Sequence, residues 1–172
     1  MIKIYAQNPN EKAVARVADV LRSDGVIVYP TDSVYAFGCS LHSPKAIERL
    51  RRMKGKDAEA FSVVFGDMAQ VAEYCRVDNT AFRILKRNLP GPFTFVLNAS
   101  GKVPDKFLEK RKTVGVRIPD HAVALAIVEA LGHPLVTASV KDSEEEYTTD
   151  PSLIEERYGS AVEAENICWN WA

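Results

Sequence analysis

The stretch from Val26 to Gly38 constrains the fold of this chain more than any other. It begins with an uninterrupted apolar run that ends at Tyr29. Pro30 comes next, and the loop after it contains hydroxyls, a carboxylate and an aromatic ring. A continuous apolar run is typical of a strand buried on both faces of a parallel sheet. Because ligands of open α/β sheets bind beyond the carboxyl ends of strands, the loop predicts a small-molecule site. A polar loop that only reverses the chain is the alternative interpretation.

Strand-like and helix-like segments alternate along the rest of the chain. Helices are predicted over residues 11–22, 67–74, 78–88 and 123–131 and from residues 44 and 151 onward, and strands over 26–29, 61–65, 93–97, 114–118, 134–139 and 167–171. The expected N-caps are Ser43, Asp67, Asp78, Asp120 and Asp150. Gly25 and Gly132 are expected to end the helices that precede them.

Alternation of this kind predicts an α/β fold. We expect a single domain over residues 1–172, built on a twisted, mostly parallel or mixed open β-sheet with helices on both faces. No repeat, low-complexity tract or shift in composition indicates a second domain.

The composition is that of a globular protein without a membrane span. Hydrophobic residues make up 47% of the 172 and charged residues 26%, and no run approaches the roughly 18 apolar residues that a membrane-spanning helix needs. The N-terminus lacks a signal-peptide pattern, and the cysteines at 39, 75 and 168 are odd in number and far apart. That spacing argues against a disulfide framework and a zinc knuckle, so a cytoplasmic protein is expected. The three histidines lack metal-ligand spacing, and no protein-built metal site is expected.

The charges are segregated although the net charge is only −1. Residues 45–56 contain six cations against one carboxylate, and residues 102–117 contain six against two, whereas residues 142–165 contain nine carboxylates and one cation. Such asymmetry favours a phosphate-rich or polyanionic partner, with ordinary solvated surfaces as the alternative. The candidate patch for RNA or phosphate comprises Arg49, Arg52, Lys110 and Arg111.

Five segments place polar groups next to predicted strands: residues 30–35, 54–56, 90–94, 113–119 and 137–139. In this order and spacing they resemble the YrdC/YciO family, the single-domain L-threonylcarbamoyladenylate synthases and their relatives, over about residues 25–139. The resemblance implies a twisted α/β sheet with a large electropositive concave site. It also implies that L-threonine, bicarbonate and ATP, the last with Mg²⁺, are joined into threonylcarbamoyl-AMP with release of pyrophosphate. That product serves the N6-threonylcarbamoyl modification of adenosine in tRNA, and family members also bind double-stranded RNA.

The resemblance also assigns the site residues. Lys54 and Lys56 are the expected catalytic, phosphate-binding residues, although lysines at a frayed basic helix end are the alternative. Expected contacts of threonine are Thr31, Tyr35, Arg117 and Thr137, with Tyr35 as a core aromatic being the alternative. Expected contacts of the nucleotide are Lys56, Thr113, Ser139 and Lys141.

Arg117 is the informative member of this set. It stands in an otherwise apolar strand, and a buried charge without a partner is costly. The resemblance implies that it grips the carboxylate of threonine with its planar fork. A structural ion pair with a carboxylate at the sheet edge is the alternative.

The chain departs from the synthase pattern at several positions. Lys56 and Asp57 stand where an arginine and a proline are usual, and Ala60 and Phe65 where an asparagine and a histidine are usual. Phe61-Ser62 replaces Pro-Leu, and Ser139-Val140-Lys141 replaces Ser-Ala-Asn. These changes place the chain nearer the YciO branch. Three hypotheses follow: the synthase itself, a paralogue that uses another acyl or carbamoyl adenylate or nucleotide, and an RNA-binding protein without the synthase activity.

Overall fold

Eight strands form two sheets in the computed structural model, which describes residues 2–55, 61–108, 110–140, 149–162 and 168–171. The strands are β1 (Ile2–Tyr5), β2 (Val26–Tyr29), β3 (Ala36–Ser40), β4 (Ser62–Val64), β5 (Phe95–Asn98), β6 (Thr113–Arg117), β7 (Leu135–Ser139) and β8 (Cys168–Trp171). The main sheet has the order β2-β3-β7-β4-β6-β5, and β1 pairs with β8 in a separate two-stranded sheet.

Seven helices connect these strands within the described residues. They are α1 (Glu11–Arg22), α2 (Pro44–Lys54), α3 (Met68–Tyr74), α4 (Asn79–Asn88), α5 (Asp105–Leu108), α6 (Ala122–Leu131) and α7 (Pro151–Tyr158). None of the helices in the described ranges is long and apolar enough to span a membrane.

The main sheet is mixed, as the sequence predicts, although antiparallel pairs predominate. Strands β4 and β6 run parallel, and the other four neighbouring pairs of the described sheet run antiparallel. The interpretation of Val26–Tyr29 as an inner parallel strand is wrong, because β2 is an edge strand that forms an antiparallel hairpin with β3. All four residues of β2 are nevertheless buried, because hydrophobic clusters pack on both of its faces.

Helices cover both faces of the main sheet. Helices α1 and α6 pack together with Ile27, Val64 and Leu135 in one hydrophobic cluster. The opposite cluster joins Val28, Val63 and Val136 to side chains of the other five helices. The alternation of these strand residues between two clusters follows from the two-residue period of a strand.

Side-chain caps set most of the helix starts. Ser43, Asp67, Asp78 and Asp150 each accept hydrogen bonds from backbone N–H groups of the following turn, which confirms four predicted caps. The fifth predicted cap, Asp120, is not the N-cap of its helix. Helix α6 begins after His121, and the backbone N–H of Asp120 donates to the carboxylate of Asp32.

The chain leaves α1 through a glycine, Gly25, because there is no room for a side chain beside Val20. The left-handed residue after α1 is Asp24, with φ of 63°, and Gly25, the residue expected to end the helix, follows it. The N–H of Gly25 donates to the carbonyl of Val20 at 2.9 Å. A Cβ at Gly25 would lie 2.5 Å from Val20 Cγ1 and 2.7 Å from Val20 O. Close approach of backbone to backbone therefore requires this glycine.

We predict that Gly25→Ala lowers the free energy of unfolding by about 1–3 kcal/mol, the usual cost of overpacking. The measurement is urea denaturation followed by circular dichroism. Gly101→Ala is the matched control, because a Cβ there meets nothing within 4 Å. Equal stability of the two variants would contradict the role of close packing at Gly25.

Candidate functional site

The loop between β2 and β3 is joined to the end of β6 by a nearly buried ion pair. Arg117 Nη2 lies 3.0 Å from Asp32 Oδ1, and the two side chains are 11% and 8% exposed. Asp32 Oδ2 accepts the backbone N–H of Asp120 at 2.9 Å. The sequence analysis considered two partners for Arg117, the carboxylate of threonine and a carboxylate of the protein. The structure contains the second, an ion pair with Asp32.

This ion pair does not use all the donors of Arg117. Its Nε is buried and has no hydrogen-bond partner among the described residues. Buried guanidinium donors are ordinarily satisfied, so an orphaned one indicates a missing acceptor such as a ligand oxygen or water.

Thr31 organises the same loop. Its hydroxyl donates to the carbonyl of Val34 at 2.7 Å and accepts the backbone N–H of Ser33 at 3.2 Å. Tyr35 is buried in the core opposite α1 and α6, and both Thr31 and Tyr35 line a cavity of about 190 Å³. Thr149 and Pro151 close that cavity from the start of α7.

Small and polar residues of three central strands share one face of the main sheet. Ser62 is paired with both Thr137 and Gly115, and residues paired across strands point to the same face. Residues two positions along a strand also share a face. We call the resulting set the open strip: Ser62, Thr113, Gly115, Arg117, Thr137 and Ser139.

The open strip lies beside the area that α1 and α6 cover. Thr113 is exposed, and Ser62, Gly115 and Ser139 are half-buried. A Cβ at Gly115 would lie 2.9 Å from Ser62 Oγ and 3.1 Å from Thr94 Cγ2. Ser62 and Thr94 therefore leave no room for a side chain at Gly115.

Tyr29 crosses the sheet to reach the open strip. A Cβ at Gly38 would lie 2.8 Å from the Tyr29 ring, so the ring lies over this glycine. The Tyr29 hydroxyl donates to Thr137 Oγ1 at 2.8 Å. Burial raises the pKa of Tyr29 to about 12, against the lowering effects of the Thr137 hydrogen bond and the charge of Arg117. Tyr29 is therefore a neutral donor that fixes the Thr137 hydroxyl.

Lys54 contacts the last residue of β7 from the side of the sheet on which α2 packs. It ends α2, and its Nζ donates to the carbonyl of Ser139 at 3.0 Å and lies 5.9 Å from the centre of the Phe37 ring. Strand β7 runs antiparallel to β4, and β4 runs parallel to β6. The end of β7 at Ser139 and the start of β6 at Thr113 therefore lie at the same end of the strands. The open strip thus has Ser139 and Thr113 at one end and Arg117 at the other, and Lys54 reaches the Ser139 end from the side of Phe37.

Two predicted site residues, Lys56 and Lys141, lie outside the described residues, as do Asp57 and Ala60 among the departures from the synthase pattern. Phe65, at the position where the synthases usually have histidine, is fully buried in the core opposite α1 and α6. Val140 is buried in the same core. Neither apolar replacement points into solvent.

The predicted RNA patch is distributed over α2 and the segment after α5. Arg49 donates to the carbonyl of Ala161 at 2.8 Å, whereas Arg52, Lys110 and Arg111 are exposed. Arg51 joins α2 to α5 by donating to the carbonyls of Lys106 and Phe107, both at 3.2 Å. These helices pack against the sheet face opposite the open strip.

The sequence analysis does not identify Asp32, Ser62 or Tyr29 as site residues. Their only local signals are a carboxylate in the hydroxyl-rich loop, a serine where the synthases usually have leucine, and a tyrosine at the end of an apolar run. Each acquires its place through strand pairing or through a contact with a distant part of the chain.

Comparison with known proteins identifies the family of this fold. A family model for Sua5, YciO and YrdC proteins, described as telomere recombination, matches residues 19–165. The chain belongs to the Sua5/YciO/YrdC family. It is 39% identical over 163 residues to the uncharacterised protein YciO of Escherichia coli, covering 93% of this chain and 79% of that one. It is 30% identical over 152 residues to a threonylcarbamoyl-AMP synthase of Nitrosococcus oceani, covering 87% and 82%.

Solved structures of the Sua5/YciO/YrdC family have the same fold. The crystal structure of E. coli YciO superimposes with a TM-score of 0.87 at 38% identity, covering 97% of this chain and 81% of that one. P. abyssi Sua5, solved in complex with L-threonine, superimposes with a TM-score of 0.85 at 25% identity, covering 99% and 50%. The family and fold that the sequence motifs indicate are thereby confirmed.

We predict that Cys39 and Cys75 of the native protein do not react with a thiol reagent at pH 8. Burial raises the pKa of Cys39 to about 12 and that of Cys75 to about 11, so both remain protonated. The measurement is colour release from a disulfide reagent by a Cys168→Ser variant, before and after denaturation in urea. Rapid reaction of the native variant would show that one of these thiols is accessible.

Proposed function

We propose that this protein is a threonylcarbamoyl-AMP synthase-like nucleotidyltransferase. It would join L-threonine, bicarbonate and ATP, release pyrophosphate, and supply the product to tRNA modification. The observation that carries the proposal is the open strip, which has a guanidinium with an unused donor at one end and Ser139 and Thr113 at the other, with Lys54 bonded to the backbone carbonyl of Ser139. Named synthases 30–36% identical to this chain support the assignment.

The Arg117 end of the strip suits the amino acid. A carboxylate matches guanidinium donors in charge and planar geometry. The buried Nε of Arg117 is available for such a ligand, and the hydroxyl of Thr137 lies on the same face. The P. abyssi Sua5 complex, which contains L-threonine, supports threonine as this amino acid.

The other end suits the nucleotide. Thr113 and Arg117 are four residues apart on one strand, about 13 Å at the usual rise of a β-strand. This separation allows an amino acid and an α-phosphate to lie side by side along the strip. Lys54 would neutralise phosphate charge, with Lys56 and Lys141 as further proposed contacts, and Mg²⁺ would enter with ATP as part of that substrate.

Orientation and charge neutralisation would account for most of the catalysis. The carbamate of threonine is a weak nucleophile that must meet the α-phosphate in line, so holding both groups in place lowers the barrier. Fixed cations stabilise the charge that develops on the phosphate oxygens. In this mechanism Arg117 holds the carboxylate of threonine and Lys54 neutralises the phosphates.

We predict that the purified protein releases pyrophosphate from ATP in the presence of L-threonine and bicarbonate. The measurement is a coupled pyrophosphate assay, with reactions lacking threonine as the background and a known synthase as the positive control. Release that depends on a different amino acid would favour the paralogue hypothesis. No amino-acid-dependent release while the known synthase works would refute the proposed activity.

RNA binding is the second candidate function, and the exposed cations Arg52, Lys110 and Arg111 favour it. Contacts to phosphates release counterions, so binding should weaken steeply with salt. Aromatic residues are scarce among the cations of 45–56 and 102–112, which favours recognition of duplex shape over stacking on single strands.

We predict that Arg117→Lys raises the KM for L-threonine at least tenfold and leaves duplex RNA binding within twofold of wild type. Lysine keeps the charge but loses the fork that matches a carboxylate. The matched control is Arg52→Ala, which removes an exposed cation and should weaken RNA binding alone. Equal losses of both ligands in Arg117→Lys would indicate a general electrostatic role for Arg117.

A further inference from the structure

Asp32 is the most constrained carboxylate at the open strip. One oxygen bonds Arg117 at 3.0 Å, and the other accepts the backbone N–H of Asp120 at 2.9 Å. Its side chain is only 8% exposed. A single carboxylate therefore connects the β2–β3 loop, the end of β6 and the segment that leads into α6.

Fold stability is a weak explanation for this arrangement. Burying two charges costs desolvation energy that their attraction barely offsets, so buried ion pairs contribute little net stability. Orientation is a better explanation. A guanidinium whose Nη2 is fixed by a carboxylate, itself anchored to a backbone N–H, has little freedom to rotate.

We infer that Asp32 is a positioning residue that holds the guanidinium of Arg117 in the orientation that receives the carboxylate of the amino-acid substrate. This inference rests on the proposed function, because it assigns the role of Arg117 toward that substrate. Asp32 uses Nη2 and leaves the buried Nε of Arg117 for the ligand. Asp32 itself makes no contact with the reacting atoms.

The chemistry of an amide makes Asp32→Asn a sharp test. The carboxylate accepts hydrogen bonds on both oxygens, whereas an asparagine amide has one acceptor and one donor. Its NH₂ group must face either Arg117 Nη2 or the N–H of Asp120, which places donor against donor. One of the two contacts must break, and the guanidinium loses its fixed orientation.

A competing role for Asp32 predicts the opposite sign. If the carboxylate merely occupies Arg117 until a substrate displaces it, its removal frees the guanidinium and strengthens binding of L-threonine. If the ion pair serves only to hold the fold together, its loss affects stability and all kinetic constants alike. The direction and selectivity of the effect therefore separate the three roles.

We predict that Asp32→Asn raises the KM for L-threonine at least tenfold and changes the KM for ATP less than twofold. Steady-state pyrophosphate release and calorimetric titration with L-threonine measure these effects, and thermal unfolding verifies that the variant folds. The matched control is Asp19→Asn, which breaks an exposed 2.9 Å ion pair with Arg22 on α1 and should leave both KM values unchanged. An unchanged or lower KM for L-threonine, or equal changes for both substrates, would overturn the positioning role.

A second measurement needs no variant of Asp32. In ¹H–¹⁵N spectra of the wild-type protein, the Arg117 Nε–H signal, assigned by its loss in Arg117→Lys, should shift on saturation with L-threonine. A signal that stays in place while calorimetry records threonine binding would overturn the inference and leave the proposed function intact. A wild-type protein that neither binds L-threonine nor releases pyrophosphate would refute the proposed function itself.

Discussion

The ion pair between Asp32 and Arg117 connects two parts of the main sheet that strand pairing keeps apart. Strands β3, β7 and β4 lie between β2 and β6, yet the loop after β2 reaches the end of β6. This contact brings the hydroxyl-rich loop onto the face that carries Thr137 and Ser139. Without it, the loop would be only the turn of an edge hairpin, and its carboxylate would not lie beside Arg117.

Two glycines allow close packing next to the open strip. Gly38 allows the Tyr29 ring to lie over β3, and Gly115 allows the side chain of Ser62 to pack against the backbone of β6. Large side chains at either position would push neighbouring side chains out of place, because protein interiors tolerate little added volume. The same face is filled by α1 and α6 where its residues are Ile27, Val64 and Leu135. The boundary between the packed core and the open strip therefore follows from residue size along each strand.

The two faces of the sheet also separate the two candidate functions. The open strip combines Arg117 with hydroxyls and lies next to α1 and α6, whereas the exposed cations of α2 and of the segment after α5 lie on the opposite side. Small-molecule chemistry and RNA binding would therefore use different surfaces. The chain is 39% identical to E. coli YciO and 30% identical to the N. oceani synthase, and it shares its fold with solved structures of YciO and Sua5.

The sequence alone determines six of the seven described helices, the α/β class and the family, because caps, periodicity and ordered motifs are read along the chain; the short helix α5 is not among those predicted. Four of five predicted side-chain caps are confirmed for this reason. Tertiary structure decides the rest. Strand β3 lacks a local pattern and exists because β2 and β7 pair with it. Asp32 and Arg117 are 85 residues apart, and Asp120, which precedes the N-cap residue His121, bonds the same distant carboxylate through its backbone N–H. Contacts between distant residues depend on how the sheet is assembled, which no local pattern encodes.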